Sequence, residues 1–71
     1  MKILVQDRAS VRVMPSEIWV TRTGKTWSII GCSYLSSYFA EYTTEERAKE
    51  VLKEMFQYLR SGKKTYIMPE I

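Results

Sequence analysis

Two tryptophans and three cations lie close together in the middle of the chain: Trp19, Arg22, Lys25 and Trp27, with Arg12 shortly before them. Flat aromatic faces with guanidinium or ammonium groups beside them stack on bases and neutralise phosphates. The same aromatics could equally fill a core. Arg12, Trp19, Arg22, Lys25 and Trp27 are therefore the expected contact surface, with binding as their chemistry.

Catalysis has few candidates to draw on. The chain has no histidine and one cysteine, which removes histidine-based acid–base work, Ser-His and Cys-His pairs, and ordinary zinc sites. Asp7 and Glu17 could form a carboxylate pair, but no spacing brings them together, and solvated acids are the plainer reading. Gly24, Gly31 and Gly62 are dispersed, so no phosphate-cradling loop is expected. Cys32 follows Gly31 in a strand-like run and reads as a packing residue. No enzyme activity, metal or cofactor is expected.

The elements that position these residues are mostly strands. Ile3-Leu4-Val5 and Val11-Arg12-Val13 open the chain, and Pro15 breaks the pairing after them. Glu17–Arg22 and Thr26–Cys32 flank Thr23-Gly24-Lys25 as a hairpin, and a further strand is expected from about Tyr34 to Tyr42. A helix follows, with Thr43 and Glu46 as a capping box and Ala48, Val51, Leu52, Met55, Phe56 and Leu59 as one apolar stripe. Glu45 and Glu46 suit its positive end, Arg60 its negative end, and Ser61-Gly62 its stop. Thr65–Met68 forms a terminal strand closed by Pro69. The expected fold is α+β, an antiparallel sheet of about four to five strands in ββββαβ order with the amphipathic helix on one face.

Seventy-one residues leave room for one domain, residues 1–71. So small a chain buries only about 60% of the surface its unfolded form exposes, so a homo-oligomer is expected. Alternation places Ile18 and Val20 on one face and Trp19 and Thr21 on the other, so both faces carry large apolar groups. One helix covers one face, and the other is expected to meet a partner. The net charge is +3, and residues 1 to 40 hold five Lys/Arg against two acids, so nucleic acid is a possible partner. The single cysteine suggests a reducing compartment, and the opening residues show no targeting or membrane segment, so the cytoplasm is expected.

Tyr42-Thr-Thr-Glu-Glu-Arg-Ala-Lys-Glu-Val-Leu-Lys-Glu-Met55, the ending Tyr66-Ile67-Met68-Pro69-Glu70 and the opening Met1–Asp7 resemble a group of short proteins from Gram-positive bacteria and their phages. Some of that group are similar to candidate anti-CRISPR and other anti-defence proteins. The resemblance implies a non-enzymatic phage-type binder that antagonises a bacterial defence system. Its target would be an effector protein, a nucleoprotein or a nucleotide signal. The alternatives are a single-stranded nucleic-acid binder and a structural homo-oligomeric module.

Overall fold

The computed structural model describes residues 1–71 as six strands and one helix. In chain order these are β1 (Lys2–Leu4), β2 (Val11–Val13), β3 (Glu17–Thr23), β4 (Thr26–Cys32), β5 (Ser36–Tyr42), α1 (Glu45–Arg60) and β6 (Thr65–Ile67). The α+β class holds, with the helix entering just before the last strand. The strands divide into two sheets of three rather than one sheet of four or five: β2-β1-β6 and β3-β4-β5. Pro15 separates them, because a residue without a backbone N–H cannot carry a ladder onward.

The larger sheet is an antiparallel meander. Gly24 and Lys25 are its two-residue β3–β4 turn, and Gly24 takes φ +64°, a conformation that costs glycine little. In the smaller sheet β1 pairs antiparallel with β2 and parallel with β6, setting Ile3 opposite Tyr66. A parallel neighbour needs a long crossover, and α1 lies within it.

The helix begins one residue later than its sequence suggests. Thr44, not Thr43, is the N-cap, and its hydroxyl accepts from the Arg47 N–H at 3.1 Å. Tyr42 is still committed to the sheet opposite Trp27, so Thr43 is used in the turn. Arg47 then occupies the position a capping-box glutamate would need. Its guanidinium instead donates to the Ile71 carbonyl at 2.9 and 3.1 Å. At the other end the Lys63 N–H bonds the Tyr58 carbonyl and the Gly62 N–H bonds the Leu59 carbonyl, with Gly62 at φ +75°. This Schellman arrangement satisfies carbonyls that the helix leaves open.

Ala48, Val51 and Met55 bury the helix against Ile29, Phe39, Ala40 and Tyr42 of the larger sheet and Ile3, Tyr66 and Met68 of the smaller side. The stripe is narrower than its periodicity implies, since Phe56 remains 54% exposed. No helix is long and apolar enough to cross a membrane.

Gln6 ties the parts together. β5 is an edge of the larger sheet, so its outward-facing ladder groups have no strand partner. The Gln6 N–H donates to the Phe39 carbonyl, and its side-chain oxygen accepts from the Glu41 N–H at 2.8 Å and the Tyr38 hydroxyl at 3.2 Å. Its amide nitrogen donates to the carbonyls of Glu41, Pro69 and Glu70. Arg8, the one non-glycine residue at positive φ, adds a bond to the Met68 carbonyl at 2.6 Å.

Three tyrosines make this packing sensitive to base. Burial pushes the Tyr42 hydroxyl, which donates to the Pro69 carbonyl at 2.7 Å, up to about 12 from an ordinary 10.0. Burial raises Tyr66 as well, helped by its bond to Glu54, and Tyr38 moves in the same direction. With the folded value above the unfolded one, the unfolded chain loses its proton first. This stabilisation is therefore complete below pH 10 and is lost as pH rises towards about 12. Urea midpoints followed across that window should fall, and Tyr42→Phe should make the fall shallower.

Candidate functional site

The pairing register decides which side chains share a surface. Glu17 opposes Cys32, Trp19 opposes Ile30, Thr21 opposes Ser28 and Arg22 opposes Trp27. Directly opposed residues lie on one face, so Trp19 and Trp27 are on opposite faces of the meander. Trp27 lies on the helix side with Ile18, Val20 and Ile29, packed at the margin of the core. Trp19 lies on the other side in a row with Ile30 and Tyr38.

The five residues expected to form one surface are thus dispersed, which corrects that expectation. Arg22 and Trp27 do meet, with the guanidinium carbon 6.0 Å from the ring centroid. The Arg22 Nε also donates to the Gly24 carbonyl at 3.1 Å, holding the side chain over its own turn, where Lys25 sits. Arg12 is on β2 in the other sheet, within 3.4 Å of the Ser37 hydroxyl. Trp19 has no cation on its face. Its charged neighbours there are Glu17 and Glu41, which repel phosphate. The turn length was the available signal. With Gly24 and Lys25 as the whole loop, an odd-numbered residue of β3 must oppose an even-numbered residue of β4.

The positive charges gather elsewhere. Lys2, Lys63 and Lys64 converge at one end of the molecule, where the Lys2 N–H donates to the Lys64 carbonyl at 2.9 Å. No aromatic ring shares that hollow.

The exposed face of Trp19, Ile30 and Tyr38 is partly covered by its own contacts, and Trp19 and Tyr38 are 38% and 39% exposed. A more open apolar surface lies between β2 and the β4–β5 turn. There the Ser16 N–H donates to the Ser33 hydroxyl at 3.0 Å and draws the β2–β3 connection against the turn. The result is a cleft of about 380 Å³ floored by Pro15, Gly31 and Phe39. Val11, Val13, Tyr34 and Leu35 line it and are 58%, 71%, 93% and 76% exposed. Arg12, Ser33 and Ser37 supply its polar groups.

The floor is rigid. Phe39 is 1% exposed, and an added Cβ on Gly31 would lie 2.4 Å from its ring and 2.6 Å from the Pro15 ring. Only a residue without a side chain permits that approach. Of the five residues expected to form the contact surface, only Arg12 belongs to this cleft, and Val11, Val13, Tyr34 and Leu35 were missed. Tyr34-Leu35 between Ser33 and Ser36 was the readable signal, since a polar turn offers two large apolar side chains nothing to bury against.

The cleft is lined by apolar side chains with Arg12, Ser33 and Ser37 as its polar groups. Its serines have no neighbouring base, and no three Cys, Asp or Glu side chains gather as a metal site anywhere in the chain. No protein family, curated protein or solved structure matches the chain.

Proposed function

We propose that this chain is a non-catalytic binding protein that contacts a protein partner through the cleft between β2 and the β4–β5 turn. The observation that carries this reading is the exposure of Val11, Val13, Tyr34 and Leu35 around one concavity. Large apolar residues clustered in the open, with a polar rim, mark partner surfaces. Arg12, Ser33 and Ser37 supply that rim. The breadth of the cleft suits a protein surface better than a small ligand, which usually enters an enclosed pocket. A nucleotide signal has less to hold it, because Arg12 is the single cation lining the cleft.

The resemblance of the helix and tail makes an effector of a bacterial defence system the class of partner we propose, with the chain acting as its inhibitor. The test is phage plating on defended bacteria that express the chain. Plating should recover at least tenfold, and Tyr34→Ala with Leu35→Ala should abolish the recovery. Because both residues are exposed, stability should change by only about 0.5 kcal/mol at each position. Unchanged recovery by that double variant would overturn the assignment of the cleft. Failure of the unaltered chain against every defence system tested would overturn the inhibitor reading.

A single-stranded nucleic-acid binder is the second reading, supported by the convergence of Lys2, Lys63 and Lys64 rather than by the tryptophans. Replacing the three lysines with alanine should then flatten the salt dependence of oligonucleotide binding by about 0.7 in log–log slope for each phosphate no longer neutralised. An unchanged slope counts against it.

A further inference from the structure

We propose that a second copy of this chain docks antiparallel along β3, so that two meanders join as one six-stranded sheet about a two-fold axis at Val20. This interface uses none of the residues lining the cleft.

In the order β3-β4-β5, β3 and β5 are the two edges. The β5 edge is bulged and occupied by Gln6, the kind of protection that stops strand addition. β3 has seven paired residues in unbroken register, with no proline and no bulge. Thr23 and Thr26 pair across the two-residue turn, which directs the backbone groups of Thr23, Thr21 and Trp19 towards β4. Those of Ile18, Val20 and Arg22 consequently face the open edge.

Two such edges complement each other in antiparallel alignment. With Val20 opposite its own copy, Ile18 meets Arg22 of the second copy, and three residue pairs can each exchange two N–H···O bonds. The charges agree with this direction. Glu17 at the start of β3 and the turn residue Lys25 beyond its end are both exposed, so antiparallel pairing brings each acid to the lysine end of the other copy. Parallel pairing would instead set like beside like.

The helix extends the apolar part of this side. Its flank carrying Arg47, Glu54 and Tyr58 contacts Ile71 and Tyr66. Leu52 and Phe56 lie on the opposite flank and line a hollow with Gln57 and the cations Lys49, Lys53 and Arg60. A standard interface covers about 800 Å² per partner. That is roughly one-sixth of the 4970 Å² surface, within reach of an edge strand and a helix flank.

Light scattering on the purified chain across a concentration series tests the proposal, together with amide hydrogen exchange. The mass should rise from that of one 8.4 kDa chain to two, and the Val20 and Arg22 amides should gain protection in step with it. Glu17→Lys should weaken association roughly tenfold, since each dimer holds two copies of the contact. Adding Lys25→Glu to that variant should restore it, while both substitutions leave the fold unchanged by circular dichroism. A single-chain mass at millimolar concentration would overturn the proposal. So would a dimer whose Val20 amide stays unprotected, or one indifferent to the charge exchange.

Discussion

Phe39→Ala is expected to remove about 3–5 kcal/mol of folding stability, the range for deleting a buried phenylalanine ring. The ring is 1% exposed, at the β4–β5 bulge, and its backbone carbonyl holds Gln6. A chain of 71 residues has roughly 4–10 kcal/mol in total at the usual per-residue stability. The variant should therefore lose from about a third of that stability to all of it, with the urea midpoint displaced in proportion. A shift no larger than that of an exposed substitution would show that the ring does not floor the cleft. The cleft should fail with it, because Phe39 supports the surface that Val11 and Leu35 border.

Gly31→Ala should cost about 1–3 kcal/mol for the opposite reason, overpacking. The new methyl group would stand 2.4 Å from the Phe39 ring and 2.6 Å from the Pro15 ring, closer than carbon atoms tolerate. Neither neighbour is a loose chain end: one is buried and the other is a closed ring. The two substitutions should not add. In the Phe39→Ala background one of the two clashes is gone, so the penalty of Gly31→Ala should shrink, and a double-mutant cycle in urea measures the coupling. Strict additivity would mean that the two residues do not touch.

Gly31 shows how unevenly such features can be read from the residue string. As one glycine in a strand-rich run it marks a weak point or a close approach, and nothing nearby says which. The answer lies in Phe39, eight residues on, and Pro15, sixteen back. Gln6 is a stronger case. A glutamine in an opening loop carries no pattern, yet it bonds Phe39, Glu41, Pro69 and Glu70. The basic and aromatic surface failed to assemble for a related reason. Trp19 and Trp27 look like neighbours in sequence, but strand parity and turn length put them on opposite faces.

The residues by themselves determined what short-range forces decide. The helix over Glu45–Arg60 follows from its 3.6-residue apolar period, its acidic first turn and Gly62 at its end, and the β3–β4 hairpin follows from Gly24 between two β-rich runs. These depend on neighbours a few positions apart. Tertiary structure alone decided the rest: the division into two sheets, the parallel pairing of β1 with β6 and the cleft beside Arg12. Each is a contact between distant segments, selected by the burial of Ile3, Tyr66 and Phe39 together, and no local period encodes that burial.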